Sequence, residues 1–157
     1  MQLGKRGEGY VAVQCALFAL IAFGPGHLPG LPLWSERTVT LSRPLGVLLA
    51  TIGGALIILG LAYLGKNLSP LPHPKAGAQL VERGVYGLVR HPIYGGLITG
   101  TLGWALLRGS TLTLIYTFIL FGFFELKTRR EEAQLGRAFA DYEAYRKRVR
   151  KFIPFIY

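Results

Sequence analysis

The stretch "RGVYGLVRHPIYGG", residues 83–96, gathers Arg83, Tyr86, Arg90, His91 and Tyr94 among glycines and Pro92. Further along comes "KTRREEAQL", residues 127–135. Pro92 suits the first turn of a helix, where its missing N–H costs nothing. A helix beginning there leaves backbone N–H groups and the positive end of its dipole facing whatever precedes it. Such a place stabilises a carboxylate or phosphate, and His91 stands beside it. Tyr86 and Tyr94 offer flat faces to an aromatic base and hydroxyls to polar groups. Glu131 has the charge to hold an ammonium. Lys127 lies four residues earlier and shares its helix face. Together these features suit a zwitterionic amino-acid ligand with an attached base. S-adenosylmethionine is such a ligand; a simple α-carboxylate or a nucleotide fits nearly as well.

Each cluster also has a plain structural reading. Basic and aromatic residues at a helix entrance anchor proteins at lipid headgroups. A run of mixed charge on a helix is often only a solvated face. The pairing of the two clusters favours chemistry, and that pairing depends on the elements that carry them.

Those elements read as membrane helices. The chain has 157 residues, 51% hydrophobic and 17% charged, with a mean hydropathy of +0.38. That length predicts a single domain, 1–157, with two N-terminal spans in 1–65 and the site-bearing part in 66–157. Residues 45–64 carry no charge, and about 20 residues suffice to cross a ~30 Å hydrocarbon core. Shorter apolar segments at 10–23, 93–107 and 110–124 complete an expected four spans. Lys5 and Arg6 before the first of them give the outline of a signal peptide, but an uncleaved first helix yields a consistent topology. With both ends inside, the cytoplasmic side holds Lys5, Arg6, Lys66, Lys75, Arg83, Arg90 and every basic residue from Lys127 to Lys151. Only Arg37, Arg43 and Arg108 fall outside, which is the positive-inside pattern. The net charge of +10 therefore needs no nucleic-acid partner; it fits a face against anionic membrane lipid.

The first helix is expected to end at "GPGHLPGLP", and residues 24–44 to form an outer loop containing a solvated His27. The second helix is expected from about Pro44 to Leu64. Pro70, Pro72 and Pro74 force an extended crossing segment around His73. "RGS", residues 108–110, joins the third and fourth spans as a tight helical hairpin. Gly96 and Gly100 have the small-xxx-small spacing that lets helices approach closely. Beyond residue 124 the fourth span is expected to continue as a cytoplasmic amphipathic helix, with Leu135, Phe139, Tyr142, Tyr145 and Val149 on one stripe. Cys15 is the single cysteine, so no disulfide framework or cysteine-based metal site arises within one chain.

"LVERGVYGLVRHPIYGG" followed by "REEAQLGRAFADYEAYRKRVRKFIPFI" resembles the isoprenylcysteine carboxyl methyltransferase family and its relatives among phospholipid methyltransferases. The resemblance covers about residues 66–157. It implies an all-α integral membrane enzyme that uses S-adenosyl-L-methionine and a lipophilic methyl acceptor. It implies that Ala78, Gln79, Leu80 and Val81 help enclose the cofactor, and that Tyr86, His91, Pro92, Ile93, Tyr94 and Glu131 contact it. A family arginine that touches the acceptor is replaced by Lys127, which keeps the charge but gives up the bidentate fork. Ala140 stands where relatives often have glycine. The implied setting is a prokaryotic plasma membrane with both termini and the cofactor site cytoplasmic.

The acceptor stays open between an isoprenylcysteine-like carboxylate and a phospholipid or small amine. A nicotinamide-dependent reductase lacks its dinucleotide glycine fingerprint here. A transporter would place ionisable groups near mid-membrane, whereas these spans are nearly charge-free. A non-catalytic membrane scaffold is the remaining alternative.

Overall fold

The computed structural model describes residues 8–67, 77, 79–154, 156 and 157. The expected extended segment around Pro70, Pro72, His73 and Pro74 lies outside them. The described chain is all-helical: α1 (Glu8–Phe23), α2 (Glu36–Leu64), α3 (Pro92–Arg108), α4 (Thr111–Ala138) and α5 (Tyr142–Arg148). Short 3-10 turns occupy Gly65–Asn67 and Gly84–Gly87. Among the described residues the only bridge of β type is a single parallel one between Val89 and Arg150. Two helical segments, Glu36–Asn67 and Thr111–Ala138, are long and apolar enough to cross a membrane.

The second helix starts well before Pro44. Ser35 caps it by accepting the N–H of Thr38 at 3.1 Å, and Glu36 complements the dipole in the first turn. Pro44 therefore lies inside the helix, where it removes one backbone hydrogen bond. Tertiary ties hold the extra turns. Ser42 Oγ donates to the Leu106 carbonyl at 3.1 Å, and Trp34 Nε1 donates to Thr111 Oγ1 at 2.9 Å.

α2 and α3 meet along a glycine seam. Gly46, Gly53 and Gly60 recur at seven-residue steps and share one face, and all three are buried. A Cβ on Gly53 would lie 2.5 Å from the backbone of Gly96 and Gly100. One on Gly46 would lie 3.0 Å from the Gly103 carbonyl, and one on Gly60 2.7 Å from Ile93. The pairing order shows that the helices run antiparallel. Without side chains between them the backbones touch, which is how helices gain dispersion contact where lipid removes the hydrophobic drive. The Gly96 and Gly100 spacing thus serves α2.

Gly109 ends α3 in the left-handed conformation, φ +57°, and Ser110 caps α4 by accepting the Thr113 N–H at 3.0 Å. α4 runs back past α3, because Tyr94 near the start of α3 stacks on Phe124 at 4.5 Å. α1 lies along α4, with Phe18 against Phe124 and Tyr10 against Phe123. Ile21, Leu112, Tyr116, Leu120, Phe124 and Phe152 form the main apolar core.

The fourth helix does not continue to residue 149. Phe139 is extended (φ −127°, ψ 119°) and the chain turns before α5. The turn lets Tyr142, Tyr145 and Val149 bury together against Leu80, Leu135 and Phe139. A straight helix would carry Tyr145 away from the Tyr86 carbonyl, to which its hydroxyl donates at 2.7 Å. Residues 150–152 then run beside 89–91. The Arg150 carbonyl accepts the Arg90 N–H at 2.8 Å and the Lys151 carbonyl accepts the His91 N–H at 3.1 Å.

Candidate functional site

The start of α3, the charged half of α4 and the turn back through α5 meet in one polar node. Tyr94, in the first turn of α3, donates its hydroxyl to Glu131 Oε1 at 2.7 Å. His91, immediately before Pro92, lies between two adjacent carboxylates. Its Nε2 is 3.1 Å from Glu132 Oε1 and its Nδ1 is 3.9 Å from Glu131 Oε2. An ionised carboxylate only accepts, so the shorter contact assigns the proton to Nε2. Glu132 Oε1 also accepts from Arg90 Nε at 3.1 Å and Arg90 Nη2 at 2.9 Å. Arg146 Nε is 3.6 Å from Glu132 Oε2. The Arg90 and Glu132 side chains are 9% and 8% exposed. A buried pair of this kind holds only because each charge is matched and hydrogen-bonded. Arg90 Nη1 also donates to the carbonyls of Arg146 and Val149, which ties α5 to the node.

The sequence places an external anion at the start of α3. The folded chain puts its own carboxylates, Glu131 and Glu132, beside that start. The N–H groups of Arg90 and His91 are taken by the C-terminal segment. Pro92 is buried, and with Ile93 it packs where a Gly60 Cβ would point.

The other expected cofactor residues form a separate wall. Gln79, Leu80, Val81 and Tyr86 line a cavity of about 100 Å³. Leu64, Asn67, Arg90, Leu135, Phe139 and the tyrosines of α5 close it. Ala78 lies outside the described residues. Tyr86 is buried and donates to the Gly60 carbonyl at 3.3 Å. Its phenol is pushed up to about 12, first by burial and then by the negative charge of Glu131, so it remains a neutral donor. Arg90 also borders a second, polar cleft of about 580 Å³, with Glu125, Arg129, Glu132, Glu143, Arg146 and Lys151. Arg90 is thus the wall common to both spaces.

Lys127 is 2% exposed. Its Nζ donates to Gln14 Oε1 of α1 at 2.6 Å and stands 5.0 Å from the centre of the Tyr94 ring. Its position follows from the i, i+4 relation to Glu131, yet its partner comes from the far end of the chain.

Three residues of this node were not singled out as site residues from the sequence: Glu132, Arg90 and Gln14. The doubled glutamate was the available signal for Glu132. Arg90 sat in the same motif as His91. Nothing local marks Gln14, an amide in an apolar segment.

Residues 41–142 match the phospholipid methyltransferase family. The chain is 43% identical over 79 residues to the protein-S-isoprenylcysteine O-methyltransferase of Schizosaccharomyces pombe, covering 49% of this chain and 34% of that one. It is 35% identical over 157 residues to the protein of the same name from Saccharomyces cerevisiae, covering 97% of this chain and 66% of that one. Its fold is similar to the solved structure of the eukaryotic intramembrane Ras methyltransferase ICMT (isoprenylcysteine carboxyl methyltransferase), with a TM-score of 0.61 and 20% identity. That similarity covers 99% of this chain and 55% of the other. The chain thus spans between about a third and two thirds of the length of these relatives. A family match over well over half the chain, carried by the segment that holds most of α2, all of α3 and α4, and His91, Tyr94, Glu131 and Glu132, places this protein in the phospholipid methyltransferase family.

Proposed function

We propose that this protein is a membrane-embedded methyltransferase that moves a methyl group from S-adenosyl-L-methionine to a lipophilic acceptor. In this reading α1, α2, α3 and the charge-free part of α4 cross the bilayer, α3 and α4 form a helical hairpin, and the node of His91, Tyr94, Glu131 and Glu132 faces the cytoplasm with both termini. The observation that carries it is the meeting of the two charged motifs: Tyr94 on Glu131 at 2.7 Å and His91 on Glu132 at 3.1 Å. Relatives named as methyltransferases support the activity, and the family description supports a lipid-like acceptor.

The residues present have the chemistry to hold the cofactor. Glu131 supplies a carboxylate for its ammonium. Asn67 and Gln79 supply amides, and Leu80, Val81, Tyr86, Phe139 and Tyr142 supply apolar and aromatic surface around one cavity. When bound, the cofactor supplies a methyl group already activated on a sulfonium. The protein then has to align two partners and exclude water. His91 fixes Glu132, Tyr94 orients Glu131, and Pro92 and Ile93 seat the start of α3 on α2. Lys127 orients an acidic head of the acceptor. A carboxylate nucleophile is ionised at neutral pH and needs no base, and an isoprenylcysteine-like carboxylate fits that requirement.

A labelled-methyl assay against total membrane lipids and prenylcysteine analogues tests the reading. The expected product is lipid-soluble and loses its label in mild alkali, as an ester does. Alkali-stable label would replace the carboxylate by an amine. Absence of transfer to every acceptor tested would contradict the activity.

A further inference from the structure

Lys127 and Glu131 stand one helical turn apart on α4, the spacing at which opposite charges on a helix ordinarily pair. They do not pair here. Among the described residues no carboxylate lies within 4.0 Å of the Lys127 ammonium. The ammonium instead reaches across to α1, where Gln14 Oε1 accepts from it at 2.6 Å. Its other neighbour is the face of Tyr94, 5.0 Å to the ring centre. Glu131 meanwhile takes the Tyr94 hydroxyl and faces His91.

Lys127 is therefore a buried cation whose direct contacts are two neutral groups, with the Glu131 carboxylate acting on it only from beyond ion-pair distance. An ammonium has three donors, and Gln14 uses one. Burying a charge without a direct, hydrogen-bonded counter-charge is costly, so this arrangement is poor as packing alone. It is suited to receiving an anion from outside the chain. Gln14 belongs to α1, and the family match begins only at residue 41. The element that turns Lys127 away from Glu131 thus lies outside the segment that carries the family signature.

We infer that Gln14 is a positioning residue that holds Lys127 off Glu131, so that Glu131 stays available to a cation and Lys127 to the anionic head of an amphiphilic acceptor. This rests on the proposed function for the identity of the two ligands. The geometry does not depend on that identity: one amide keeps a lysine and a glutamate on the same helix face from closing into a direct ion pair. Removing the amide frees Lys127 to fold onto Glu131. Replacing it by a carboxylate keeps Lys127 in place but cancels its charge.

The test uses the full chain in detergent and two probes, an S-farnesyl thioether bearing a carboxylate and its carboxamide analogue. Binding is read by calorimetry with no methyl donor present. Wild type is expected to prefer the carboxylate by about tenfold, the value of one charge-assisted contact. Gln14→Ala is expected to bring the two probes to parity. The near-isosteric Gln14→Glu is expected to abolish the preference or reverse it, with carboxamide affinity changed by less than about threefold. The inference is overturned if wild type shows no preference or binds neither probe. It is equally overturned if both variants keep the preference, or weaken both probes alike, as loss of packing would. A wild type that discriminates the probes but binds no S-adenosylmethionine would sink the methyltransferase reading and leave the role of Gln14 standing.

Discussion

The α2–α3 seam and the node between α3 and α4 are held by opposite means. Along the seam, glycine backbones touch and no charged group takes part. At the node, His91, Arg90, Tyr94, Glu131 and Glu132 hold one another by hydrogen bonds and charge. Steric contact of this kind is rigid and tolerates no added atom. A charge network tolerates exchange, because a ligand can take the place of an internal partner. The seam therefore fixes where α3 stands, and the node is where we propose that a ligand binds. The same helix start belongs to both: Pro92 and Ile93 pack against Gly60, and His91 and Tyr94 reach the carboxylates.

Substitutions should separate the two regions. The largest loss is expected from Gly53→Val, since the new atoms meet backbone rather than a yielding side chain. Overpacking of this kind costs about 3 kcal/mol at its upper end, read as a fall in the thermal unfolding midpoint in detergent. Arg90→Ala comes next. It leaves Glu132 buried with only His91 and Arg146 nearby and releases the tie to α5. About 2 kcal/mol is expected, less than for a fully stranded charge. Tyr145→Phe strands the Tyr86 carbonyl and should cost about 1 kcal/mol, with increased hydrogen exchange at α5 as a second readout. Arg129→Ala breaks a pair whose arginine is 69% exposed, and under about 0.5 kcal/mol is expected. If Arg129→Ala cost as much as Arg90→Ala, burial would not be what distinguishes the node.

The sequence showed much of this site and little of its wiring. The motifs "HPIY" and "RREE", which the fold brings into contact, stand out because a proline-opened helix and a doubled glutamate are visible locally. Which glutamate faces which partner is not local. Successive helix residues point about 100° apart, so the choice depends on how α4 is rotated against α3. That rotation is set by contacts such as Tyr94 on Phe124. Gln14 illustrates the same limit, since its partner lies 113 residues away. Boundaries failed for related reasons. Pro44 resembled a helix start because a proline commonly is one, but Ser35 capped an earlier beginning. The stripe from Leu135 to Val149 was visible, but not the turn at Phe139, which exists because the stripe is needed against Tyr86 rather than along a straight helix.

We propose that the node binds S-adenosylmethionine through Glu131. The direct measurement is a calorimetric titration of the cofactor into wild type and Glu131→Gln, each in detergent and in lipid, with unfolding midpoints recorded for both. Saturable one-to-one binding by wild type and at least about tenfold weaker binding by the variant are expected, with midpoints within a few degrees of each other. Absence of binding by wild type in both media, or equal affinity in the two proteins, would contradict it.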